Sequence, residues 1–168
     1  RVAIITGSSS GIGRAIALAL ASEGASIVCS DLDKSAARGG YESDIDMDTD
    51  ELVREKGGIA TFISADASSA KNVITVVDHA VSEFGRLDIM FNNAGVFTGA
   101  HNILEETEEQ YDLTMNVNAK GVWLGCKDAI AQFMRQELGC KYAIAQFMRH
   151  ELISTSTGSQ LRGRIINI

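Results

Sequence analysis

Short apolar runs alternate with stretches of helical spacing along this chain. The runs fall at 2–6, 25–30, 60–64, 87–92 and 164–168 and predict five strands. Helical periodicity at 12–23, near 49–56, at 70–84 and within 107–152 predicts the helices between them. Such alternation implies an α/β fold, a doubly wound parallel sheet with helices on both faces. Right-handed crossovers then give the strand order 3-2-1-4-5, a Rossmann arrangement whose switch point lies between the carboxyl ends of the first and fourth strands.

The first of those ends carries Thr6-Gly7-Ser8-Ser9-Ser10-Gly11-Ile12-Gly13, between an apolar strand and a helical pattern. Strand, glycine turn and helix together place unpaired N–H groups and the positive end of a helix dipole where an anion can sit, so the stretch is read as a pyrophosphate cradle. Gly7 permits the sharp turn, Gly11 keeps a side chain out of the phosphate's path, and Gly13 lets the helix pack closely. The spacing is Gly-x-x-x-Gly-x-Gly, not the commoner Gly-x-Gly-x-x-Gly.

Four further stretches follow in order: Ser30-Asp31-Leu32, Ser64-Ala65-Asp66-Ala67, Asn92-Asn93-Ala94-Gly95 and Met115-Asn116-Val117-Asn118-Ala119-Lys120-Gly121. With the glycine stretch they resemble the classical short-chain dehydrogenase/reductase family, from Arg1 to Ile168. The resemblance implies an NAD(H)-binding portion of an enzyme that interconverts alcohols and ketones by hydride transfer. It implies cofactor contacts at Gly7, Ser9, Ser10, Gly11, Ile12 and Gly13, at Asp31 and Leu32, at Asp66 and Ala67, at Asn93, Ala94 and Gly95, and at Val117. Asp31 ends the second strand, where its carboxylate would accept from the adenosine ribose and repel a 2′-phosphate, so NAD(H) is expected over NADP(H). Ser10 agrees, because family members that prefer NADP often carry a basic residue there. Asp66 and Ala67 would meet the adenine edge; the alternative is a helix cap shared with Ser68 or Ser69. Asn92 would brace neighbouring strands, and Asn92 to Gly95 also suits a plain turn. Asn118, followed by Gly121 in the family's Asn-x-x-Gly pattern, is the one catalytic-site residue carried over, where the family's Asn helps hold a water linked to a catalytic Lys. A polar helix residue buried and satisfied by backbone is its alternative.

The family's catalytic Ser and Tyr-x-x-x-Lys are expected after the fifth strand. None of Tyr41, Tyr111 and Tyr142 has a Lys four residues on. The chain therefore reads as one domain over 1–168, truncated after the fifth strand, inactive alone, and drawn from a longer, homo-oligomeric parent. A non-catalytic nucleotide-binding or oligomerisation module, such as a truncated isoform, is the alternative, and a defective product without a stable fold is a third. Substrate is not legible beyond a small alcohol or ketone.

Net charge −7 and a pI near 4.9 argue against nucleic acid and anionic membranes. The odd set Cys29, Cys126 and Cys140 lacks Cys-x-x-Cys spacing and suits reduced thiols in the cytoplasm. Asp44, Asp46, Asp48 and Asp50 resemble the start of a calcium loop but lack its Gly and distal Glu, so a solvated acidic loop is expected and no metal. Residues 125–138 and 139–152 differ only at Asp128/Tyr142 and Gln136/His150. This tandem duplication is expected within one helix, with one copy packed natively and the other projecting or looped out.

Overall fold

β1 (Val2–Thr6) is buried along its whole length. Its side chains alternate between two cores, as strand geometry requires. Val2 and Ile4 pack with Val76, Val77, Met90 and Phe133 on one face. Ala3 and Ile5 pack with Ala17, Ile27, Val53 and Phe91 on the other. The computed structural model of the chain describes residues 1–36, 46–100, 102–136 and 164–167.

Around β1 lie β2 (Ser26–Asp31), β3 (Ile59–Ser64), β4 (Ile89–Asn92) and β5 (Arg164–Asn167). All pairings are parallel, in the order β3-β2-β1-β4-β5. This is the order expected from right-handed crossovers. α1 (Gly11–Ser22) and α2 (Thr49–Glu55) contribute Ala17 and Val53 to one core. α3 (Ala70–Phe84) and α5 (Val122–Gln136) contribute Val76, Val77, Ala129 and Phe133 to the other. α5 approaches β4 closely enough that a Cβ on Gly125 would lie 1.9 Å from Asn92 Oδ1.

Two departures from the expected elements have physical reasons; the other described ends shift by one residue at most. β4 begins at Ile89 and not at 87, because the Leu87 backbone is engaged by the Gln136 amide. Leu87 N–H donates to Gln136 Oε1 at 2.6 Å, and Gln136 Nε2 donates to the Leu87 carbonyl at 2.7 Å. The long helix is also not uniform. α4 (Glu108–Met115) starts at a capping box between Thr107 and Gln110, then passes through a π-helical stretch, Asn116–Gly121, into α5. Glu108 and Glu109 fill the first turn of α4, where the positive end of the helix dipole favours acids. The second copy of the duplication, Ile168 and Asp44 lie outside the described residues.

Cys29 points into the α1–α2 core and is fully buried. Burial pushes its thiol up to about 12, opposed by a hydrogen bond with Ser8. A thiol protonates more readily in the fold than in the unfolded chain here, so its contribution to stability is complete below the unfolded value near 9 and is lost as pH rises toward 12. We expect the unfolding free energy to fall across that window, and Cys29→Ala to remove that part of the slope. Denaturant titrations from pH 8 to 11 check this; an unchanged slope in the variant would refute it.

Candidate functional site

The chain leaves β1 through Gly7, whose φ of 66° is in the left-handed region that favours glycine. A Cβ there would lie 2.8 Å from Ala94 Cα. α1 then begins at Gly11, and a Cβ on Gly13 would stand 2.0 Å from the Gly7 carbonyl oxygen and 2.6 Å from Asn93 Nδ2. The helix thus rests directly on the turn and leaves no space for a side chain at Gly13. Gly11, with φ 57°, faces open space. Ser10 is the N-cap of α1 yet makes no side-chain hydrogen bond to the first turn. No cap side chain stands between that helix end and an anion.

The loop between these glycines is tied to the sheet. Ser8 N–H and Ser8 Oγ both donate to the Ser30 carbonyl, at 3.2 and 3.3 Å. Ser9 Oγ donates to the Asp33 carbonyl at 2.6 Å, and Ser9 N–H donates to Asp31 Oδ2 at 3.0 Å. Ser9 is therefore buried, with its hydroxyl directed at β2's end. Asp31 Oδ1 accepts from Leu32 N–H at 2.8 Å. Two backbone donors thus orient the Asp31 carboxylate, and each oxygen keeps further accepting capacity.

β4 closes the other side. Thr6 Oγ1 accepts from Asn93 N–H and Ala94 N–H at 3.1 and 3.0 Å. Asn93 Nδ2 donates to the carbonyls of Thr6 and Gly7, both at 3.0 Å. Asn92 Nδ2 donates to Asn167 Oδ1 at 2.9 Å, so Asn92 braces β4 against β5. Strand bracing is shared between the two asparagines, more widely than the sequence reading had it. At the end of β3, Asp66 Oδ1 accepts from both Ser68 N–H and Ser68 Oγ, and Ser69 is the cap of α3.

These strand ends enclose a cavity of about 360 Å³, within the range of small-molecule sites. Gly7, Ser10 and Ile12 line it from the first crossover, and Asp31 and Leu32 from the second strand. Asp66 and Ala67, then Asn93, Ala94, Gly95 and Val117, complete the predicted lining. Ser9, Gly11 and Gly13 stand behind or beside it and shape the loop. Thr6, Ser30, Ala65 and Val96 also line the cavity and are not among the expected cofactor contacts. Thr6, Ser30 and Ala65 belong to the quoted stretches and Val96 follows one, and consecutive residues line the cavity at each strand end.

Asn118 lies in the π-helical stretch. Its Oδ1 accepts from Val96 N–H at 2.8 Å and its Nδ2 donates to the Val96 carbonyl at 2.9 Å. It is exposed, unlike the buried alternative considered above, yet it is satisfied by backbone. The π turn, a geometry often found at functional sites, is what brings the amide to the cavity wall. Nothing in the residue pattern signals it.

The acidic segment resolves into an ion-pair cluster where described. Lys34 Nζ lies 3.2 Å from Asp48, 3.5 Å from Asp50 and 2.8 Å from Glu51, and Arg54 lies 2.8 Å from Asp50. The Glu51 hydrogen bond chiefly pushes the Lys34 ammonium above its ordinary range. Among the described residues no cluster of His, Cys, Asp and Glu has metal-binding geometry, and no helix is long and apolar enough to cross a membrane.

Known proteins resemble this chain in sequence and in fold. An oxidoreductase of Thermotoga maritima is 39% identical over 136 residues, covering 81% of this chain and 49% of its own length. A diacetyl reductase [(S)-acetoin forming] of Staphylococcus epidermidis is 37% identical over 137 residues, covering 82% and 49%. The crystal structure of a short chain dehydrogenase/reductase from Burkholderia phymatum in complex with NAD superposes with a TM-score of 0.71 at 31% identity, covering 81% of this chain and 45% of that one. The chain spans about half the length of the curated relatives it matches. The short chain dehydrogenase family matches residues 1–140, and the chain belongs to that family.

Proposed function

We propose that this chain binds NAD(H), in preference to NADP(H), in the cavity between the ends of β1 and β4. The observation that carries the reading is the close seating of Gly13 on the Gly7 turn, which brings the open N-terminus of α1 up to the cavity wall. A nucleotide diphosphate fits that donor set. The Asp31 carboxylate at the cavity edge would accept from ribose hydroxyls and repel a third phosphate. Asp66 and Ala67 would take the adenine edge, and Asn93, Ala94, Gly95 and Val117 the nicotinamide side.

In the whole protein we assign alcohol–ketone oxidoreduction of a small molecule. Bound nicotinamide would supply or receive the hydride. Asn118 would hold the Val96 wall in place, with capacity on its amide for a bridging water. A homo-oligomeric parent fits the exposed Tyr111, Leu113 and Met115 on α4, a helix that buries no residue, and the free Cys29 and Cys126 fit a cytoplasmic one.

Thermal unfolding with NAD+ and with NADP+ tests the cofactor. At a hundredfold excess over Kd, NAD+ should stabilise by about 2.7 kcal/mol and raise Tm by several degrees. NADP+ should raise it less. A midpoint unmoved by millimolar NAD+ would overturn the reading.

A further inference from the structure

α2 has no place in the cavity lining, yet its first residue reaches the glycine loop. Thr49 is 2% exposed. Its hydroxyl donates to the Ser8 carbonyl at 2.8 Å and lies 3.3 Å from the Ser9 carbonyl, a three-centre arrangement. The same oxygen accepts from Arg14 Nη1 at 3.0 Å, and Arg14 is 1% exposed. A buried guanidinium therefore donates to a hydroxyl that donates to the loop. Each bond in such a chain strengthens the next.

The consequence follows from peptide geometry. A trans peptide points its C=O and its N–H in opposite directions. With the Ser9 carbonyl drawn to Thr49, the Ser10 N–H is directed away from Thr49, and Ser10 lines the cavity. The Ser8 carbonyl is likewise drawn to Thr49 while Ser9 N–H goes to Asp31. If the Ser9–Ser10 peptide turned over, the Ser9 carbonyl oxygen would face the cavity where a donor is required. An anion would then meet negative partial charge.

We propose that Thr49, backed by Arg14, is a positioning residue for the diphosphate group: it fixes the Ser9–Ser10 peptide plane so that Ser10 N–H is presented to an anion, while Ser8 N–H and Ser9 N–H stay bonded to Ser30 and Asp31. The proposal rests on the cofactor reading above. It adds that diphosphate recognition depends on α2, an element outside the cavity.

The test compares NAD+, ADP and adenosine by titration calorimetry on the full chain and on Thr49→Val and Thr49→Ser. Valine keeps the shape and removes the hydroxyl. We expect Thr49→Val to weaken NAD+ and ADP about tenfold, the effect of losing roughly one hydrogen bond's contribution. Adenosine, which lacks the diphosphate, should bind within twofold of the parent chain. Thr49→Ser should restore NAD+ and ADP. Circular dichroism establishes that each variant is folded; if Thr49→Val is not, Thr49→Cys, with a weak donor in the same place, is read for the same ratio. Equal weakening of all three ligands would show a purely structural role and overturn the proposal alone. Unchanged NAD+ and ADP affinity would also overturn it. A parent chain that binds neither NAD+ nor ADP would overturn the cofactor reading and this proposal together.

Discussion

Gly13→Val is expected to abolish NAD+ binding and to cost about 3 kcal/mol or more in stability. The added Cβ alone would meet the Gly7 carbonyl oxygen at 2.0 Å and Asn93 Nδ2 at 2.6 Å. The nearer group is backbone and belongs to the turn itself, so it has no rotamer by which to escape. α1 must therefore lift off the turn, and its N-terminus moves away from the cavity it faces. Gly13→Ala should show the same direction with a smaller loss. A valine at Ala15, an exposed position one turn-fraction away, should cost only the few tenths of a kcal/mol of helix propensity. Urea unfolding monitored by circular dichroism, with NAD+ titration, reads both effects. A Gly13→Val chain with the parent's midpoint and affinity would mean that the helix and the turn are not in contact.

Asp31→Ala should collapse the preference for NAD+ over NADP+. The carboxylate is held at the cavity edge by Ser9 N–H and Leu32 N–H, so its charge is fixed near the place where a 2′-phosphate would go. Like charges juxtaposed in that way cost several kcal/mol, and we expect the ratio of the two dissociation constants to change by about 100-fold. Alanine also releases Ser9 N–H, so affinity for both dinucleotides should fall. Asp31→Asn separates the two effects, because it keeps an acceptor and removes the charge. Its ratio should follow alanine, while its NAD+ affinity should fall less. A ratio unchanged in both variants would place the ribose elsewhere.

The fold was legible because its signals are local and redundant. The run Val2-Ala3-Ile4-Ile5 has nowhere to go but the centre of a sheet covered on both faces, and the alternation of runs and helical spacing fixes the crossovers. Most of the site was legible for a related reason: in a doubly wound sheet, strand ends converge wherever the order reverses, so motif residues at those ends meet. What escaped depends on partners distant in sequence. Ser9 reads like its neighbours in the loop, and only Asp33 and Asp31 turn it inward. Leu87 reads as strand, and only Gln136 removes it from the ladder. Nothing in the pattern marks Thr49, at the start of α2, for a role elsewhere, although its hydroxyl serves another helix's loop. The π turn that aims Asn118 at Val96 carries no compositional mark at all.

The central position of β1 also has a meaning in time. Its neighbour on one side, β2, begins at Ser26, while its neighbour on the other, β4, begins at Ile89. Parallel strands form no hairpin, so each pairing must wait for a whole crossover to be made. During synthesis the Ser8 and Ser9 bonds to Ser30 and Asp31 can form while the Asn93 amide that steadies Gly7 is still unmade. The cradle is thus assembled in two instalments, and a nascent chain acquires its anion site only after β4 has docked.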